Sequence, residues 1–281
     1  MNKADWLNEF DQTNGFDKRI VLYEEIHKVN QQDFDVLLNA LDIPNCENLL
    51  DSGCGYGAIT LGALKKQNGT NIKYSLADIS NVQLDRAKKE IGNAIENINP
   101  KPEINFFFDN IVFTDFAQNS FDAIGAKMVF HEIKKKYQSK AVAEWHKILK
   151  TGGRLVIWDL SLADWNQELI QDIVREKDRL AGFQFMVDNR YFLREDEILS
   201  NLKESGFKSF EKIHDVTYHI NTSKRLESEF GGDNNKVKLW NDYIRKRVSD
   251  IKKSTLDKLS YQDHGDYISM QLPKSIFLAI K

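Results

Sequence analysis

Between residues 45 and 160, short apolar runs alternate with longer segments whose apolar positions recur every three or four residues. The runs are "ENLLDSG" (47–53), "IKYSLADI" (72–79), "EINFFFDN" (103–110), "FDAIGAKMVF" (121–130) and "RLVIWDLS" (154–161), each of strand length. Between them lie the helix-patterned "AITLGALKKQ" (58–67), "NVQLDRAKKEIGNAIE" (81–96) and "SKAVAEWHKILK" (139–150). Ser80 or Asn81 can cap the second of these, and Gly152-Gly153 close the third. Strands separated by helix-length segments predict an α/β fold with a doubly wound, mostly parallel sheet and helices on both faces. With the two later strands below, the sheet has seven strands.

The flanks follow other patterns. In residues 17–41, Ile20, Tyr23, Ile26, His27, Phe34, Leu37, Leu38 and Leu41 recur at helical spacing, which predicts one or two helices ended by Asp42 and Pro44. Residues 1–44 are therefore expected to form an N-terminal helical cap, and 45–281 the main domain. Residues 161–190 are charged and helix-prone, and "LREDEILSNLKESGF" (193–207) is a helix with a glycine stop. "KSFEKIHDVTYHI" (208–220) alternates as a strand, and "KSIFLAIK" (274–281), behind Pro273, is a terminal strand. About fifty residues separate those two, including the helix-patterned 234–259. Insertions at about 161–190 and 221–272, attached near strand ends, are expected to form a substrate lid.

Composition narrows the function classes only a little. The 281 residues carry 41% hydrophobic and 29% charged residues with a net charge of −3, ordinary for a soluble globular protein. That balance argues against a nucleic-acid partner, although a local basic strip at 236–253 keeps the possibility open. Two cysteines, Cys46 and Cys54, supply neither a disulfide framework nor a zinc site, and no tight acidic cluster declares a metal. The polar N-terminus and the lack of a long apolar run suggest a cytoplasmic protein, a monomer or homodimer without a membrane partner.

The first apolar run leads into "LLDSGCGYGAIT" (49–60), three glycines within five positions. Such a loop either lets a ligand approach bare backbone at a helix N-terminus or makes a tight turn that serves only the fold. Its spacing also satisfies a loose dinucleotide pattern. Asp51 opposes that reading, because a carboxylate closing the strand would face a pyrophosphate, whereas it suits a cationic amino or sulfonium head.

Here the chain resembles the class I S-adenosylmethionine-dependent methyltransferases of the small-molecule type, over about residues 45–160. "LLDSGCGYG" resembles the family's first motif, which implies that Asp51, Gly53, Cys54, Gly55 and Gly57 surround the methionine part of S-adenosylmethionine. "SLADIS" ends the second strand in Asp78, the position that binds the ribose hydroxyls in the family, with Ile79 beside it. "FFFDNI" supplies Asp109 and Asn110 at the adenine position. "FDAIGAKMVFHEI" matches the fourth strand, with Lys127 and Met128 at its cofactor-facing end. "HKILKTGGRLVIWD" matches the following turn and fifth strand, with Thr151 in place of the usual proline.

Methyl transfer from a sulfonium is an in-line displacement that demands positioning and exclusion of water. An O–H or N–H acceptor adds the need for a general base. His131, directly after the fourth strand, and Asp159, ending the fifth, are the candidate catalytic residues; His131 can equally be a structural histidine fixing the turn. His219, Asp263 and His264 lie in or beside the lid. Tyr23 and Trp6 sit on N-terminal helices that often close over the cofactor in related enzymes. The fourth strand lacks the Asn/Asp-Pro-Pro-aromatic signature of enzymes that methylate exocyclic base nitrogens, and neither cysteine has the Pro-Cys setting of a C5-pyrimidine methyltransferase. The expected activity is O-, N- or C-methylation of a metabolite; the alternatives are an RNA or protein methyltransferase and a non-catalytic S-adenosylmethionine-binding protein.

Overall fold

The structure, a computed structural model, describes residues 30–66 and 72–281. Trp6 and Tyr23 lie outside the described residues, as does most of the N-terminal cap. Every strand expected between 45 and 160 is present: β1 (Asn48–Ser52), β2 (Lys73–Asp78), β3 (Glu103–Phe108), β4 (Phe121–Lys127) and β5 (Leu149–Leu160). They pair in parallel in the order β3-β2-β1-β4-β5. Long β8 (Ile268–Ile280) adds antiparallel to β5, and β6 (Ser209–Asn221) adds antiparallel to β8. The seven-stranded path is as expected, with one addition: a two-residue β7 (Gln262–Asp263) pairs on β8.

Helices α1 (Gln31–Ala40), α2 (Ala58–Lys66), α3 (Asn81–Ala94) and α4 (Lys135–Ile148) cover the sheet. Helix α1 is part of the core: Leu37, Leu38 and Leu41 pack with Leu49, Tyr74, Val156 and Trp158. Ser80 is the cap of α3, its hydroxyl accepting from the Gln83 N–H at 3.2 Å, a bond worth about 1 kcal/mol. Opposite, α4 buries Trp145 against Phe130 and donates its indole N–H to Ser52 at 2.9 Å.

Three boundaries differ from the sequence reading. Strand β5 begins at Leu149, so Gly152 and Gly153 lie inside an irregular strand start where the β4–β5 register shifts. Helix α4 stops at Ile148. Strand β8 begins at Ile268, not Lys274, and runs straight through Pro273. Proline is tolerated there because the β5 ladder ends at Leu160 opposite Lys274, so the missing N–H costs little pairing.

The second half adds α5 (Asp164–Ala181), α6 (Gln184–Asn189), α7 (Glu195–Glu204), α8 (Asn234–Val248) and α9 (Lys253–Lys258). Helix α7 joins the main core through Ile198 and Leu202. Helices α5 and α8 form a third core with the outer ends of the sheet, joining Ile170, Ile173, Trp240 and Ile244 to Leu160, Ile220, Ile268 and Leu272. Trp240 donates its indole N–H to the Ile173 carbonyl at 2.9 Å, fixing α8 on α5. The insertions are thus packed elements standing on the strand ends where the sheet opens.

Candidate active site

Four strand ends converge on one cleft. After β1 the chain folds over the end of β2: the Gly53 and Cys54 N–H groups both donate to the Ala77 carbonyl, at 2.8 and 3.0 Å. Asp78 then locks the loop from the side, Oδ2 accepting from the Gly55 N–H at 2.8 Å and Oδ1 from the Ser80 N–H at 2.9 Å. The three glycines do different work. A Cβ on Gly53 would stand 2.3 Å from Val129, and one on Gly57 2.9 Å from Ile91, so these two allow close packing. Gly55, at φ +53°, would place its Cβ in open space with nothing within 4 Å, on the cleft itself. Both features of the motif are present: Gly53 and Gly55 line the cleft, and Gly53 and Gly57 allow close packing.

The cleft has a volume of about 150 Å³ and opens to solvent. Asp51, Gly53, Cys54, Gly55, Asp78, Ile79, Asp109, Asn110, Lys127, Met128 and His131 all line it, which brings the candidate cofactor residues together except Gly57. Gly57 is one turn back, buried under Ile91 and Leu76. Gln83, Ile111, Val112 and Glu132 also line the cleft and were not foreseen. Gln83 sits in the first turn of an ordinary amphipathic helix, so no local pattern marks it. Asp159 does not line the cleft; it lies behind His131, 1% exposed.

The residues present fit S-adenosylmethionine. Two buried polar atoms that line the cleft, Asn110 Nδ2 and Gln83 Oε1, have no hydrogen-bond partner among the described residues, although each residue is otherwise fixed. Asn110 Oδ1 accepts from the Val112 N–H at 2.8 Å, which aims its amide between Ile79, Ile111 and Val112, an apolar setting for a purine carrying polar edges. Asp51 is the other indicator. Burial, opposed by hydrogen bonds from the Thr60 N–H and hydroxyl and by Lys127, pushes its carboxyl up to about 7, so a cationic group bound nearby would return it to the charged state. Cys54 is pushed well above the usual thiol range by burial and the two aspartates, which removes it as a nucleophile.

His131 is held on both ring nitrogens. Nδ1 lies 2.5 Å from Asp159 Oδ1, Nε2 lies 3.3 Å from Glu132 Oε1, and the ring stacks on Phe192 with centroids 5.1 Å apart. Burial alone would lower its pKa, but Asp159 and Glu132 outweigh it and raise the imidazole to about 9. At neutral pH His131 is an imidazolium, a fixed charge and a wall of the cleft rather than a ready proton acceptor. Asp159 also accepts from the Phe130, His131 and Leu160 N–H groups, at 2.8, 3.3 and 2.7 Å, so its carboxylate ties the turn after β4 to the end of β5. Within that turn Met128 is held at φ +56°, an unusual conformation for a side chain of its size.

Met128 and His131 also wall a second, smaller cavity of about 50 Å³, between the strand ends and α5 and α8, with Phe192, Tyr218 and Trp240 among its lining residues. A chain of buried ions closes that space. Arg190 holds Glu132 through two bonds of 2.9 and 2.6 Å and Asp178 at 2.5 Å; Lys177 joins Asp178 to Glu229; Arg225 pairs with Glu229 at 3.0 Å and with the Tyr218 hydroxyl. His219, Asp263 and His264 line neither cavity. Asp263 is occupied by Arg245, and exposed His264 stacks on Tyr267. No group of three or more potential ligands for a metal comes together among the described residues.

Residues 50–157 match the family model for a methyltransferase domain. Residues 50–157 therefore form a methyltransferase domain, on the fold of the class I S-adenosylmethionine-dependent enzymes. A tRNA N(3)-methylcytidine methyltransferase of Schizosaccharomyces pombe is 26% identical over 152 residues, 54% of this chain and 56% of that protein. The chain therefore spans little more than half the length of that relative. A ubiquinone/menaquinone biosynthesis C-methyltransferase of Rickettsia bellii is 28% identical over 194 residues, 59% of this chain and 71% of that one. Among solved structures, the YcgJ protein of Bacillus subtilis shares the fold with a TM-score of 0.69 and 16% identity, covering 90% of the methyltransferase and 99% of YcgJ. No helix among the described residues is long and apolar enough to cross a membrane.

Two outcomes are expected. Gly55→Val keeps the methyltransferase folded, at a cost of about 1–2 kcal/mol for the left-handed backbone, and abolishes S-adenosylhomocysteine binding in calorimetry; a folded variant with wild-type affinity would remove Gly55 from the site. The second concerns pH. A histidine raised from 6.5 to about 9 on folding adds stability that is complete below pH 6.5 and lost as pH rises through 9. The unfolding free energy of wild type minus that of His131→Asn should then fall by roughly 2–3 kcal/mol across that window; a pH-independent difference would contradict the charged assignment.

Proposed function

We propose that this methyltransferase acts on a small-molecule acceptor, as a cytoplasmic enzyme, and that the acceptor is enclosed beneath α5, α6 and α8. The observation that carries the reading is the second cavity, which shares Met128 and His131 with the cofactor cleft and is shut in by the buried Glu132–Arg190–Asp178–Lys177–Glu229–Arg225 chain. Breaking one link of such a chain costs about 3–5 kcal/mol, so this wall stays closed to a bulky polymer.

In this reading S-adenosylmethionine supplies an activated methyl group on a sulfonium. Gly55, Asp78, Asn110 and Gln83 hold the donor, with Asp51 balancing charge at the methionine end. Met128 and the His131 ring form the boundary at which donor and acceptor meet. Asp159 positions that boundary through the backbone of residues 130 and 131 and through the imidazole. His131 contributes orientation and a fixed charge; a proton released by an O–H or N–H acceptor leaves by another route at neutral pH. The helical insertions act as the lid that excludes water.

An RNA acceptor is the second reading, favoured by the likeness to the tRNA enzyme. Against it, the two arginines of α8 are engaged within the chain: Arg245 is paired with Asp242 and Asp263, and Arg247 with Asp172. Incubating the protein with methyl-labelled S-adenosylmethionine and, separately, with total tRNA or a low-molecular-mass metabolite extract decides between them. Label should enter the small-molecule fraction and not RNA; label in tRNA alone would overturn the reading.

A further inference from the structure

Most cations buried beside the two cavities have a carboxylate partner: Lys177, Arg190 and Arg225 are each in ion pairs. Lys127 and Lys274 differ. Lys127 ends β4 and is half-buried, its open side on the cofactor cleft. Lys274, on β8 where the β5 ladder ends, is 6% exposed. Their ammonium groups lie over the same indole, 5.4 and 4.7 Å from the Trp158 centroid, and Lys274 is also 5.6 Å from the Tyr218 ring. Neither makes an ion pair or hydrogen bond with any described residue.

That arrangement is expensive as it stands. Burial pushes both ammonium groups down to about 8, and Lys127 itself depresses Lys274. Asp51 and Asp159 for Lys127, and Asp159 and Asp33 for Lys274, attract from a distance without contact. Those carboxylates are spoken for: Asp51 by Thr60, Asp159 by His131 and three N–H groups, and Asp33 by His214 at 2.7 Å. The indole face recovers only part of the lost hydration. Two methionines would fill the same space without the charges, so packing does not account for the pair. What the two groups lack is one anion shared between them.

We propose that the methyl acceptor is anionic, its carboxylate or phosphate group held between Lys127, which lines the cofactor cleft, and Lys274, which shares the Trp158 indole with it behind the cleft wall. The proposal rests on the small-molecule reading above. It commits the pair to the acceptor rather than to the carboxylate of the donor's methionine part. Phe34, tilted on Trp158 at 6.1 Å, and Tyr218 provide aromatic surface beside the pair, which suits an anion attached to a ring.

The test uses the full chain saturated with S-adenosylhomocysteine and titrates benzoate and phenyl phosphate by calorimetry, the two probes separating a carboxylate from a phosphate. At least one should bind, and Lys274→Met and Lys127→Met should each weaken it at least tenfold. S-adenosylhomocysteine affinity should stay within twofold in Lys274→Met. Both variants should melt at or above the wild-type temperature, since each removes a buried unpaired charge. Lysine ε-methylene signals of the wild type, followed by NMR, give the same answer without a substitution: two signals should move on addition of the anion. The proposal is overturned if neither anion binds, if no lysine signal moves, or if both variants bind the anion normally. It is also overturned if the variants weaken S-adenosylhomocysteine as much as the anion, which would assign the pair to the donor. Failure of the wild type to bind S-adenosylhomocysteine would instead count against the cofactor site, and the anion titration of the protein alone would still decide the lysine pair.

Discussion

One buried carboxylate fixes the geometry on which both cavities depend. Asp159 sits where β5 ends, 1% exposed, and accepts from three backbone N–H groups as well as from His131. Those bonds hold the turn after β4, with Met128 in its left-handed conformation and its N–H on the Trp158 carbonyl at 2.8 Å. A carboxylate in so many charge-assisted bonds is costly to displace, so the turn, a single 3-10 turn over Phe130–Glu132, is held firmly. From it the constraint runs outward: His131 to Glu132, Glu132 to Arg190, Arg190 to Asp178 on α5. The cleft, the second cavity and the helical insertions share a wall because they share this anchor.

On the other side of the cleft Asp78 plays a comparable part. Its two oxygens tie the glycine loop to the start of α3, so the carboxylate shapes the loop that lines the cleft. The donor site is organised before anything binds, which lowers the ordering cost of binding. Asp51 and the lysine pair are different. Each carries charge that burial opposes, and each is relieved by a ligand of opposite sign.

Legibility in the sequence follows the distance over which each feature is encoded. The strand–helix alternation, the Ser80 cap and the glycine loop are local patterns, and they read correctly. Asp78, Asp109 and Asn110, singled out by the family resemblance at the ends of β2 and β3, come to one cleft because a parallel sheet gathers its strand ends at one edge. The Arg190–Glu132 pair spans 58 residues and Gln138 reaches Tyr191 across 53, so no window along the chain reveals them. The early start of β8 was hidden by Pro273, which reads as a breaker unless the end of the neighbouring ladder is known. His131 was placed correctly, but its protonation depends on Asp159 and Glu132 together, and only the folded chain brings those to one ring.

The most direct measurement is a calorimetric titration of the unmodified protein with S-adenosylhomocysteine and, separately, with NAD. Asp51 and Asp78 at the glycine loop, with Asn110 and Gln83 offering polar edges to a purine, predict one-to-one binding of S-adenosylhomocysteine and no measurable binding of NAD. Binding of NAD with S-adenosylhomocysteine ignored would contradict the assignment of the loop and every role built upon it.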